Sequence, residues 1–143
     1  MAVVVDANLA VALVLELPYS RACLKKVQEW HDADVDLLAP SLWLYEIAST
    51  LRKFTASRRL EAEDAAASLN DLCALGVSVF EPTPALSLSA LEWAESLGQR
   101  VAYDGAYLAL AAQEQVEFWT ADRRLATAAR AAGADWVRYV DEL

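Results

Sequence analysis

The stretch Val3-Val4-Val5-Asp6-Ala7-Asn8 decides the fold. Three consecutive β-branched residues with no polar alternation predict a strand buried on both faces, as in a parallel sheet covered by helices. The run stops at a carboxylate, and the apolar segment from Leu9 to Leu17 predicts a helix packed straight back onto that sheet. Asp6 is thereby placed at the C-terminal tip of a central strand, where open α/β sheets hold their ligands.

Working outward from this strand, further strand signals occur at Asp36–Ala39, Val77–Glu81, Val116–Thr120 and Trp136–Val140, with the first spanning Ala2–Asp6. Helical patterns fill the gaps. Asn8–Leu17 comes first and is broken by Leu17-Pro18-Tyr19-Ser20, with Ser20 as N-cap of a helix to about His31. Pro40-Ser41 opens a longer helix through about Ser57, and another runs from Glu61 to about Leu75, stopping at Gly76. Thr83-Pro84 starts a helix that ends near Gly98, because Pro at the first helical position gives up an N–H that has no partner there anyway. Ala102–Gln115 and Asp122–Ala132 complete the set, the last closed by Gly133. Strands alternating with helices imply parallel pairing and right-handed crossovers, hence an α/β three-layer sandwich on a mainly parallel sheet of about five strands. With no internal repeat and no linker, residues 1–143 are expected to form a single domain.

Composition removes several classes of function. The chain is 57% apolar with four Gly and four Pro, which disfavours disorder. No apolar run approaches the ~20 residues that span a bilayer, and there is no basic leader, so a cytoplasmic protein with no membrane role is expected. A net charge of −9 argues against coating nucleic acid by charge alone, but leaves room for an enzyme that holds a phosphodiester through a cation. Cys23 and Cys73 lack metal-ligand spacing and read as reduced packing residues. No phosphate-binding glycine fingerprint is present, so no nucleotide cofactor is expected.

Four acids stand where solvated surface charges do not belong. Asp104 is followed at helical spacing by Tyr107, Leu108 and Ala111, and Asp122 by Leu125, Ala126 and Ala129, so each carboxylate shares an apolar face. Glu46 lies between Trp43, Ile47 and Thr50, and Asp6 ends the triple-valine strand. Taken alone, Asp104 and Asp122 read more simply as N-caps, Glu46 as a half-exposed helical residue and Asp6 as a strand terminus. Together they differ, because the strand ends of a parallel sheet emerge on one edge. Four carboxylates gathered there within a few ångströms repel unless a hard cation such as Mg²⁺ or Mn²⁺ intervenes. Held by Asp6, Asp104 and Asp122, such an ion could lower the pKa of a bound water, with Glu46 opposite to hold a second ion or orient the water.

Four stretches carry a resemblance: VVVDANLAVAL, PSLWLYEIASTLRK, YDGAYLALA and FWTADRRL. In this order and spacing they resemble the motifs of PIN-domain nucleases, and in particular the VapC toxins of toxin–antitoxin pairs. The resemblance runs nearly end to end. It implies a Mg²⁺-dependent endoribonuclease with a PIN-like fold and metal around Asp6, Glu46, Asp104 and Asp122. Asn8 and Thr120 match supporting polar positions behind those ligands. The family usually has Ser or Thr at Asn8, whose amide can still bond a carboxylate or a metal-bound water, and often Ala at Gly105. A homodimer and a cognate VapB-like antitoxin are implied as well.

RNA must then reach an acidic pocket. Arg123 and Arg124 beside Asp122, and Arg100 before the Asp104 helix, are candidate guides, while Arg52, Lys53, Arg58 and Arg59 serve RNA or the helix dipole equally well. Trp30, Trp43, Tyr45, Leu13, Leu15 and Leu24 exceed what one helical face can bury, and an antitoxin's amphipathic helix and basic residue would exploit that excess. The rival function is a PIN-like module that binds RNA or protein without cutting. Other signals fail. Asp32-Ala33-Asp34-Val35-Asp36 imitates a calcium loop but has Leu37 where Gly is required. His31, the single histidine, reads as a surface residue, and neither dehalogenase-like nor receiver-like spacing is present.

Overall fold

The structure, a computed structural model, describes residues 1–142. Strand β1 (Ala2–Val5) is followed by α1 (Ala7–Val11), α2 (Ser20–Asp32), β2 (Asp36–Pro40), α3 (Leu42–Ala56), α4 (Ala62–Cys73) and β3 (Ser78–Phe80). Then come α5 (Pro84–Leu97), α6 (Tyr103–Glu114), β4 (Glu117–Thr120), α7 (Arg123–Ala131) and β5 (Val137–Tyr139). All strand pairs are parallel, in the order β3-β2-β1-β4-β5. The chain moves from β1 outward to β3, then crosses back to place β4 on the other side of β1. The switch in direction therefore falls between β1 and β4, the crevice where open α/β sheets bind ligands.

The triple valine earns its central place by burying both faces. Val4 packs with α3, α4, α6 and α7, where Trp43, Ile47, Leu51, Leu72, Tyr107, Leu108 and Leu125 form the larger core. Val3 and Val5 face the other way, onto Leu9, Cys23, Trp30 and Val140, with α2 as the main cover. The result is the three-layer sandwich, thick on one side and a single helix deep on the other. Helix α6 lies against β1, β2 and β4, which brings its first turn to the switch point.

Two local expectations are corrected. The first helix ends at Val11 rather than Leu17, and the next residues wind through tighter turns, with the Val14 N–H donating to Val11 O at 3.1 Å. Ser20 is the cause. Its hydroxyl donates to Leu15 O at 2.8 Å and accepts from the Leu17 N–H at 2.9 Å, so it ties off the loop instead of capping α2. Cys73 does not pack. It is exposed, because α4 turns Leu72 inward and the next position rotates out to solvent, whereas Cys23 is fully buried.

Candidate active site

Each acid reaches the switch point on a different element. Asp6 follows β1 and is 5% exposed, Glu46 lies in the second turn of α3, Asp104 in the first turn of α6, and Asp122 caps α7 just beyond β4. All four line one cavity of about 730 Å³.

Polar neighbours hold them in place. Thr120, fully buried at the end of β4, donates its hydroxyl to Asp6 Oδ2 at 2.8 Å. The Thr120 hydroxyl oxygen in turn accepts from Asn8 Nδ2 at 3.2 Å and from the Asp122 N–H at 3.0 Å. Asn8 Oδ1 accepts in turn from the Ala121 N–H at 3.0 Å. Asn8 thus latches α1 to the end of β4, with the Thr120 hydroxyl standing between its amide and the Asp6 carboxylate. Asp122 Oδ1 accepts from the Leu125 N–H at 3.2 Å, so it is an N-cap and a cavity residue at once.

Two ties were not anticipated. Tyr107 donates its phenol to Glu46 Oε1 at 2.7 Å, and its ring stacks on Phe118 at 5.4 Å between centroids. Gln99 Nε2 donates to Asp104 Oδ2 at 2.7 Å. Tyr107 carried a usable signal, since a phenol on a helix's core stripe needs an acceptor. Gln99 carried none: it follows the left-handed Gly98 cap of α5, and its neighbour in space is set by how α5 meets α6.

The electrostatics follow from this crowding. Burial raises the Asp6 carboxyl to about 7; the Thr120 hydrogen bond opposes the rise and the Glu46 and Asp104 charges add to it. Glu46 is raised first by burial, against the Tyr107 bond and with Asp104. Asp104 is raised by burial, against the Gln99 bond and with Asp122. Among the described residues, none of the four carboxylates is ion-paired. Nor do any three His, Cys, Asp or Glu side chains stand close enough to cage an ion as they are. Each of the four is moored to its own donor. The donor set is nevertheless all oxygen, concave and uncompensated in charge, which suits a hard divalent cation.

The anticipated guides lie elsewhere. Arg100, Arg123 and Arg124 do not line the cavity, and Arg123 rests over the Tyr139 ring at 5.2 Å. Among the described residues, Lys53 is the one cation on the cavity wall, with Tyr19, Tyr45 and Tyr103 as its tyrosines. His31 is exposed and outside the site.

Comparison with known proteins adds the following. A family model described as PIN domain matches residues 3–131. No curated protein matches. Among solved structures, a Pyrobaculum aerophilum protein superposes with TM-score 0.70 at 24% identity, covering 98% of this chain and 92% of that one. Mycobacterium tuberculosis VapC20, described as a sarcin-ricin loop cleaving toxin, gives 0.67 at 19% identity, covering 95% and 98%. VapBC2 of Rickettsia felis, solved with a DNA fragment from its promoter, gives 0.68 at 12% identity, covering 97% and 98%. At these identities the likeness is one of fold.

Proposed function

The chain belongs to the PIN domain family, and from that premise we propose that it is a metal-dependent endoribonuclease acting as the toxin of a toxin–antitoxin pair. One observation carries the reading: Asp6, Glu46, Asp104 and Asp122 arrive from four separate elements at a single cavity beside the β1/β4 switch point. A module that only binds would gain nothing from keeping four like charges on one cavity wall, because the burial of Asp6, the partial burial of Glu46 and Asp104, and their mutual repulsion cost stability.

Asp6, Asp104 and Asp122, with Glu46 opposite, would hold Mg²⁺ or Mn²⁺. Bound there, a divalent ion lowers the pKa of a coordinated water and neutralises charge on phosphate oxygens. The protein's own part is orientation. Thr120 fixes Asp6, Asn8 fixes Thr120, Tyr107 fixes one oxygen of Glu46 and Gln99 fixes one oxygen of Asp104. Supporting contacts of this kind commonly matter ~10–100-fold in metal sites. RNA supplies the phosphodiester, and no residue set for nucleophilic triad chemistry competes.

An antitoxin partner is favoured by what the fold leaves uncovered. Trp30, Trp43 and Leu15 are consumed by the core, but Leu24 and Leu44 remain exposed on α2 and α3, and the acidic cavity would be neutralised by a basic side chain of such a partner. Leu88 and Leu91, 58% and 61% exposed on α5, offer apolar surface for a homodimer. No helix of the described residues is long and apolar enough to cross a membrane.

The test is incubation of the purified protein with structured RNAs in Mg²⁺ or Mn²⁺ against chelator, with Asp6→Asn as control. Metal-dependent cleavage lost in Asp6→Asn supports the proposal. Cleavage that survives the substitution belongs to a contaminant, and no cleavage with any metal leaves the binding-module reading in its place.

A further inference from the structure

The cavity is longer than its acidic end requires. Leu42, Tyr45, Glu46, Ser49, Thr50 and Lys53 recur at three- and four-residue spacing, so one stripe of α3 forms a wall running away from Asp6. From Glu46 to Lys53 the helix rises roughly 10 Å, which places the ammonium group beyond the acids rather than among them.

Three features of that wall are unused by the catalytic reading. Tyr45 is 79% exposed and Tyr103, at the start of α6, is 61% exposed, yet both line this one cavity. Neither ring pairs with another aromatic side chain among the described residues. Lys53 makes no ion pair among the described residues, although the chain carries a net charge of −9. Two of its basic neighbours are engaged: Arg52 donates to the Thr55 hydroxyl at 3.2 Å, and Arg59 lies over the Phe54 ring at 4.2 Å, while Arg58 does not line the cavity.

Exposed π-faces with one free cation are what a single strand of nucleic acid uses. Every base has a face to stack, and every linkage a phosphate to neutralise. A peptide helix would instead want an unbroken apolar groove, and here Glu46, Ser49, Thr50 and Lys53 interrupt it. We infer that Tyr45 and Tyr103 are stacking platforms for bases of single-stranded RNA, and that Lys53 holds a backbone phosphate beyond the acidic end. This inference rests on the nuclease reading for the nature of the strand, but it concerns binding and can fail separately.

The experiment measures affinity by fluorescence anisotropy for a fluorescein-labelled, mixed-sequence single-stranded RNA in Mg²⁺, with every protein carrying Asp6→Asn so that the probe stays intact. Adding Tyr45→Ala or Tyr103→Ala should weaken binding about 5- to 100-fold each, while Tyr45→Phe and Tyr103→Phe stay within about twofold. On an abasic oligonucleotide the alanine penalty should vanish. Lys53→Gln should lower the slope of log Kd against log salt by about 0.7, the share of one phosphate contact on a single strand. Both rings are exposed, so matched melting temperatures will show that the variants fold.

If RNA is cleaved but the alanine variants bind it as tightly as their parent, the inference is overturned while the nuclease reading stands, and the rings are free for a protein partner. Absence of measurable RNA binding overturns it as well. Ring-dependent binding without metal-dependent cleavage would uphold the platform and remove the nuclease.

Discussion

Both ends of the sheet are acidic, and only one is built. At the C-terminal edge Asp6 is nearly buried, and Asp6, Glu46 and Asp104 each accept from a named side chain in Thr120, Tyr107 and Gln99. At the opposite edge Asp32, Asp34 and Asp36 crowd the approach to β2, with His31 beside them and a smaller cavity of about 290 Å³. Those three acids are all exposed, and Asp32 bonds Gln28 of its own helix at 2.8 Å. Acid count does not separate the two ends. What separates them is carboxylate charge taken out of water and then fixed by donors from other elements, an arrangement that costs stability and therefore needs a use.

The sharpest way to break this contrast is to neutralise one acid at each end and follow RNA cleavage in Mg²⁺. Asp6→Asn should reduce the rate by a factor on the order of 10²–10³, the size of effect seen when a single charge-stabilising group is removed from an active site. Asp36→Asn, at the other end, should leave the rate within about twofold. Equal losses at both ends would dissolve the distinction.

The second test uses pH in the presence of chelator. The folded Asp6 carboxyl titrates near 7 against an ordinary 3.8, so the folded state holds its proton more tightly than the unfolded chain. Stability from this group is therefore intact below about pH 4, declines as pH rises toward 7, and reaches its floor above that. Roughly three units correspond to about 2–4 kcal/mol at most. Chemical denaturation from pH 4 to 8 should show the decline in the parent and a flatter profile in Asp6→Asn, with Mg²⁺ restoring stability to the parent alone.

The moorings come next in size. Thr120→Val keeps the shape but removes the donor to Asp6 and the acceptor for Asn8 and the Asp122 N–H. A loss of about 1–3 kcal/mol in unfolding free energy is expected, with a ~10–100-fold fall in cleavage. Tyr107→Phe frees Glu46 while retaining the Phe118 stack, so about 1 kcal/mol and a smaller kinetic loss should follow. Replacing an exposed hydroxyl such as Thr127 by Val gives the reference, within ±0.5 kcal/mol.

How much of this was legible before the structure depends on the physics behind each part. The sheet was, because Val3-Val4-Val5 has no alternative to double-sided burial, the later strand signals alternate with helical ones, and parallel strands force their ends onto one edge. The shared cavity of the four acids accords with that topology, since Asp6 and Asp122 follow strand ends on that edge. Their spacing within it is not set by topology, since it depends on Tyr107 and Gln99, whose partners lie 61 and five residues away in sequence. The arginines stay off the cavity wall for a related reason. Arg123 is adjacent to Asp122 in sequence, but α7 turns it toward β5 and Tyr139. Gly105 shows the same limit. A Cβ there would run into the Ala90 carbonyl, so the close approach of α5 and α6 explains a glycine where the related proteins often have alanine.

The smallest expected effect is also the most discriminating about the unbuilt end. Asp34 sits at φ 53, in the left-handed region, where a short polar side chain is tolerated better than most. Asparagine adopts that conformation at least as readily, so Asp34→Asn removes a charge without adding backbone strain. Because the carboxylate is exposed, its loss should shift unfolding free energy by no more than about 0.5 kcal/mol and leave cleavage unchanged. A loss of a kcal/mol or more would mean that the Asp32–Asp36 turn holds its acids for a reason, and that the two edges of the sheet are less different than their burial makes them. A null result beside a large Asp6→Asn effect would locate the function in the donors that moor a carboxylate, not in the carboxylate alone.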